Sequence, residues 1–224
     1  YKDTKKIKVC KDLGYYARQI DLDLETTNIT TNDGFILVLH HLIDPQDTPE
    51  IRQSKPPILL QHGLLSSSGC FLTSGYNSLA YYLVKAGYDV WLGNNRSGFK
   101  LQHESLPHLA TNETFWDWDV RNLAYNDLPC IIDAVLGHKP DHQQLTLVGH
   151  SQGCSQSFLL LRSPDLAEYH KKISSFVALA PAVFPGPLFH HRMFLKFMHA
   201  LGPLVSKLFF GTLDFLPILT ANRR

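Results

Sequence analysis

The chain has 224 residues, 44% of them hydrophobic and 18% charged, and carries a formal net charge of +1. That is an ordinary globular balance, enough for one domain with a substantial core or for most of a larger one. A charge this close to zero argues against nucleic acid as the main partner, and no run of 18 uninterrupted apolar residues marks a membrane span.

The lysines at 2, 5, 6, 8 and 11 form a basic tip that reads as a solvated tail or as the flank of an upstream membrane segment. The chain opens at Tyr1, and its methionines are Met193 and Met198, so a fragment or processed form is expected. Residues 21–43 read as a hairpin: two β-prone runs, Asp21–Thr30 and Phe35–Leu42, flank the turn Asn32-Asp33-Gly34. Residues 44–56, with Pro45, Asp47 and Pro49, read as a polar loop. Pro57 to Gln61 is a short apolar strand that runs into His62-Gly63-Leu64-Leu65.

Residues 77–86 suit a helix with Leu79 and Leu83 on one face and Gly87 as its stop. Tyr88 to Leu92 is the next strand, followed by Gly93-Asn94-Asn95-Arg96. A helical stretch covers about 119–136, with a kink or restart at Pro129. Then come a strand at 145–149, a helix at 154–162 and a strand at 176–180. Strands alternating with helices across short loops predict a mostly parallel α/β sheet, whose sites lie at the carboxyl ends of its strands.

After Pro181 the chain becomes rich in phenylalanine and proline, and Met193, Phe197 and Leu201 fall at i, i+4 and i+8. This reads either as an ordinary amphipathic core helix or as a lid that meets lipid. The cysteines at 10, 70, 130 and 154 form no C-x-x-C pair, so no metal site is expected and disulfides stay undetermined. The sequons Asn28-Ile29-Thr30 and Asn112-Glu113-Thr114 would permit glycosylation in a secretory compartment, but such triplets also arise by chance.

The chemistry concentrates in Gly149-His150-Ser151-Gln152-Gly153, a G-x-S-x-G pattern between a strand and a helix. In that setting the pattern predicts a nucleophile elbow with Ser151 on a strained turn. A serine nucleophile needs a base, an acid that orients the base, and donors aimed at the developing oxyanion. One donor is the backbone N–H after the serine, here Gln152. The 62–65 loop would supply the second through the Leu64 N–H, unless it is only a strand-ending turn. His62 reads as a structural hydrogen-bonding residue rather than the base. Asp117, Asp119 and Asp127 read as a helix cap, a buried hydrogen bond or a contact to Arg96, and Asn94 to Arg96 as organisers of a strand-end loop.

These blocks together resemble the acid lipase family of gastric and lysosomal lipases and fungal steryl ester hydrolases. They are Gln61 to Ser68, Gly87 to Arg96, Phe115-Trp116-Asp117-Trp118 with Tyr125 to Pro129, and Gly149 to Gly153. Asp33-Gly34-Phe35 and Ala178 to Ala182 also fit, and Gly98-Phe99-Lys100 looks closest to the fungal branch. The resemblance implies an α/β-hydrolase fold with a core at 1–182, a lipase-associated region at about 10–70, and an inserted helical cap beginning at 183–224. It implies lipid-ester hydrolysis through an acyl-serine, with Ser151 as nucleophile, Leu64 and Gln152 as oxyanion donors, and neither metal nor cofactor.

The implied partners are a steryl ester or triacylglycerol and a membrane or lipid-droplet surface, with a secreted or lysosomal setting as the alternative. The family order is Ser, cap, Asp, His. The chain stops inside the expected cap, so the acid and base are expected beyond residue 224 and the fragment alone is expected to be inactive. Asp165 with His170, His190, His191 or His199 keeps that order only nominally. Cys154 and Ser97 depart from the family's usual threonine and glycine. Two rival readings are a non-catalytic fragment that keeps a lipid-binding surface and a short-chain carboxylesterase on the same fold.

Overall fold

A computed structural model describes residues 12–97, 101–109 and 112–183. All but Val183 of the cap expected at 183–224, with its three histidines, and the run Gly98-Phe99-Lys100 lie outside the described residues.

Six strands form one sheet: β1 Asp23–Thr30, β2 Ile36–Ile43, β3 Pro57–Gln61, β4 Asp89–Gly93, β5 Leu145–His150 and β6 Ile173–Leu179. Their spatial order is β1-β2-β4-β3-β5-β6. β1, β2 and β4 pair antiparallel in succession, while β4, β3, β5 and β6 are parallel. The hairpin turn holds through Thr31, whose backbone N–H donates to the Phe35 carbonyl and whose hydroxyl accepts from the Phe35 N–H. Gly34 takes φ 87°, the left-handed backbone that the turn needs.

Every residue of β3 and of β4 is buried, as expected for strands covered on both faces. Alternation then divides the core. Ile58, Leu60, Val90 and Leu92 point to one layer, with Ala80 and Val84 of the helix α3. Leu59 and Trp91 point to the other, with Ile131, Val135 and Leu160. Among the described residues there are eight short α-helices: α1 Leu13–Arg18, α2 Pro49–Ser54, α3 Leu79–Lys85, α4 Glu113–Trp116, α5 Val120–Asn122, α6 Leu128–Gly137, α7 Gln152–Arg162 and α8 Ala167–Lys171.

Three expectations change in detail. The loop expected at 44–56 contains α2, because Pro49 stands in its first turn and the Thr48 hydroxyl accepts from the Ile51 N–H. Proline is pre-organised for that first turn, so the residue read as a loop marker starts a helix instead. In α3 the buried face carries Ala80 and Val84, whereas Leu79 is exposed. The restart at Pro129 takes the form of a π turn at Leu123–Asp127, which leads into α6 with the proline in its first turn. The ring has no N–H to donate back into the preceding turn, and the wider π turn before it accommodates that loss.

The register sets the functional edge. Gln61 lies opposite both Gly93 and Gly149, and Gly149 opposite Ala178. The loops that begin at His62, Asn94, Ser151 and Ala180 therefore emerge together. After β3 the chain adds β4 on one side and β5 on the other, so β3 and β5 flank a topological switch point, where open α/β sheets bind ligands.

Candidate active site

Ser151 stands between β5 and α7 with φ 54° and ψ −115°, a conformation that side-chain-bearing residues rarely adopt. The turn is gripped from several directions. The Ser151 N–H donates to the Leu179 carbonyl at 3.0 Å, and the Ser151 carbonyl accepts from the N–H groups of Cys154 at 3.0 Å and Ala182 at 3.2 Å. The Ser155 hydroxyl donates to the Ala182 carbonyl. The buried Cys154 thiol donates to the Gly149 carbonyl at 3.0 Å.

Three glycines make this approach possible. A Cβ on Gly153 would stand 2.5 Å from the Gln61 carbonyl oxygen, and one on Gly149 would stand 2.9 Å from the Cys154 nitrogen. A Cβ on Gly63 would stand 2.8 Å from the Ser151 Cβ and 3.4 Å from the Gln152 nitrogen. The His62–Leu65 loop thus lies directly against the elbow. The requirement at Gly63 is a packing constraint that its motif carried without revealing. Among the described residues, neither the Leu64 N–H nor the Gln152 N–H donates to an acceptor. Gln152 opens α7, where the first N–H groups of a helix have no internal partner. Ser151 is half-buried, and Leu64 and Leu65, on the loop that lies against the elbow, are each 58% exposed.

His62 is fully buried. Its Nδ1 lies 2.8 Å from the Gly63 carbonyl oxygen, which can only accept, so Nδ1 carries the proton. Burial outweighs the hydrogen bond to Gly63 and, with His150 nearby, pushes the imidazole down to about 4. His170 Nε2 meets the Leu160 carbonyl at 3.1 Å. His170 and Asp165 both lie past the far end of α7, whose eleven residues rise about 16 Å away from Ser151. The fold brings neither to the serine.

A second polar group braces the same edge. Arg96 donates from its backbone, Nε and one terminal nitrogen to Asp127, at 2.7 to 2.9 Å. It also reaches Asp33 in the hairpin turn at 2.9 Å, and its guanidinium lies 3.8 Å from the centre of the Phe35 ring. Burial pushes the Asp127 carboxyl up to about 6 against the pull of Arg96. Burial also opposes ionisation of Asp33, but hydrogen bonds from Arg96 and Thr31 outweigh it and hold that carboxyl below its ordinary value. Asn94 accepts from the Ser68 N–H and donates to the Val38 carbonyl. Asp119 caps α5 as one half of a capping box. Of the carboxylates read as structural, Asp119 and Asp127 occupy such positions.

Among the described residues, no group of three or more His, Cys, Asp or Glu side chains could hold a metal ion, and Cys70, Cys130 and Cys154 are free thiols. Within the same residues, no helix is long and apolar enough to cross a membrane.

The family profile described as a partial alpha/beta-hydrolase lipase region matches residues 13–75, and that described as serine aminopeptidase, S33, matches residues 52–215. Sterol esterase 2 of Saccharomyces cerevisiae is 39% identical over 222 residues, which are 97% of this chain and 41% of that protein. The lysosomal acid lipase/cholesteryl ester hydrolase of Macaca fascicularis is 35% identical over 84% of this chain and 46% of its own length. The chain therefore spans less than half the length of these curated relatives. Among solved structures, an esterase of Pyrococcus furiosus superposes with a TM-score of 0.54 at 16% identity, over 84% of this chain and 65% of its own, a likeness of fold.

Proposed function

Because the chain belongs to the acid lipase family of α/β-hydrolases, we propose that it serves the hydrolysis of lipid esters through an acyl-serine intermediate on Ser151. The observation that carries this reading is the strained Ser151 turn, pressed against the Gly63–Leu64 loop with two uncommitted N–H groups beside it.

In this reading the Ser151 hydroxyl loses its proton to a base as its oxygen attacks the acyl carbonyl. The carbonyl oxygen becomes an oxyanion and accepts from the N–H groups of Leu64 and Gln152. Collapse breaks the ester bond, and the base returns the proton to the departing alcohol. Water then attacks the acyl-serine by the same sequence and releases the fatty acid. We assign the base and its orienting acid to none of the described residues. His62 is buried with its donor committed to Gly63, and His170 and Asp165 lie past the far end of α7.

For the substrate we propose a steryl ester or a triacylglycerol, met at a membrane or lipid-droplet surface. The names of the yeast and macaque relatives and the exposed Leu64 and Leu65 support this. The alternative is a lysosomal or secreted setting, and the macaque relative's name supports the lysosomal one. The test uses the full gene product and its Ser151→Ala variant on cholesteryl oleate, on a long-chain triacylglycerol and on a short-chain ester. The expected result is turnover of a long-chain substrate that falls on the order of 10⁴-fold or more in the variant. Activity confined to the short-chain ester would overturn the lipid assignment, and undiminished turnover by the variant would overturn the role of Ser151.

A further inference from the structure

We propose that His62 is a positioning residue of the oxyanion hole, holding and polarising the peptide unit that carries the Leu64 N–H. The inference rests on the acyl-serine reading of Ser151 and extends it to a side chain that touches neither substrate nor serine hydroxyl.

A trans peptide is a rigid plane in which the carbonyl of one residue and the N–H of the next point in opposite directions. The Gly63 carbonyl and the Leu64 N–H are the two ends of one such plane. His62 Nδ1–H donates to that carbonyl at 2.8 Å and so fixes the direction in which the Leu64 N–H points. The same bond draws electron density toward the carbonyl oxygen, which makes the N–H at the other end a stronger donor. The plane needs such a tether because Gly63 has no side chain to limit its backbone, and no side chain fits there against Ser151.

The ring suits this task. It is fully buried between the end of β3 and the elbow, so it cannot swing out to solvent. Its Nε2 has no hydrogen-bond partner among the described residues, and the Gly63 carbonyl holds the proton on Nδ1. Burial disfavours the imidazolium, and the neutral Nδ1–H form persists across ordinary working pH. A buried imidazole with a single hydrogen bond, spent on the peptide before the proposed oxyanion donor, is poor as a general base and well suited as a tether.

The experiment compares His62→Asn with His62→Gln in the full gene product, beside Ser151→Ala. An asparagine amide nitrogen stands where Nδ1 stood, whereas a glutamine amide nitrogen stands where Nε2 stood. The expected result is that His62→Asn keeps kcat within about threefold of the parent. His62→Gln is expected to lower kcat about 10- to 100-fold with KM little changed, below the loss seen on removing an oxyanion donor outright. Affinity for a boronic acid that mimics the tetrahedral intermediate should fall in parallel, while the melting temperatures of the two variants agree. A purely structural role would make the losses follow melting temperature, and equal kcat in both variants would overturn the proposal. If Ser151→Ala stays active, the acyl-serine reading itself fails; if Ser151 is essential but the two His62 variants behave alike, only the tether fails.

Discussion

Two polar clusters at the same edge of the sheet are built on opposite principles. The clamp of Arg96, Asp127 and Asp33 is fully paired: Asp127 takes three donors from Arg96, and Asp33 takes Arg96, Thr31 and Asn126. The elbow is not. Seven of the twelve buried side-chain polar atoms without a partner among the described residues belong to Gln61, His62, His150, Gln152 and Gln156, on the end of β3, the elbow and the start of α7. Among the described residues, three of the five side-chain-bearing residues with positive φ, Leu65, Ser151 and Ala180, lie in the loops of this edge. Paired charge makes a rigid brace. A strained backbone stores free energy. The clamp therefore reads as support for the fold, and the elbow as the place where the fold is spent on chemistry.

If that contrast is right, the clamp should fail by unfolding. Asp127→Ala leaves the buried Arg96 with Asp33 alone, and we expect a loss of about 4 kcal/mol, measured by urea denaturation. A loss below about 1 kcal/mol would remove the distinction between the two clusters.

The next largest effect concerns His62. Its folded pKa of about 4 lies below the ordinary 6.5, so the unfolded chain takes up the proton first as pH falls. The His62 contribution to stability should therefore drop between about pH 6.5 and pH 4, by up to about 3 kcal/mol, opposite in sign to the contribution of the raised Asp127 carboxyl over the same window. The His62→Asn variant should lack this slope, which denaturation at stepped pH would reveal. A smaller loss, about 2 kcal/mol, is expected for Gly153→Ala, because the added methyl meets the backbone oxygens of Gln61 and His62. Its melting temperature checks this.

The smallest effect has the opposite sign. Ser151→Gly removes the side chain from a backbone that favours glycine, and should raise stability by about 1 kcal/mol while abolishing turnover. A destabilised Ser151→Gly variant would mean that the elbow stores no strain.

Local rules made much of this legible in the sequence. Hydrophobic runs of five residues gave β3 and β4, and Gly34 and Gly87 marked a turn and a helix stop, each with positive φ in the structure. G-x-S-x-G gave the elbow because its strand and helix setting is itself a local pattern. What escaped was long-range. Nothing near Asp33 announces Arg96, 63 residues away. The buried side of α3 depends on which face meets β4, so Ala80 and Val84 outrank the larger Leu79. The need for glycine at 63 arises only once β3 and β5 are neighbours in the sheet.

The central claim is that the strained turn presents Ser151 as a nucleophile. The most direct measurement is reaction of the full gene product with a fluorophosphonate probe, followed by mass mapping of the labelled peptide. The account predicts one adduct per chain on Ser151, absent from Ser151→Ala. An adduct that persists in Ser151→Ala, or that maps to another residue in the parent, would contradict it.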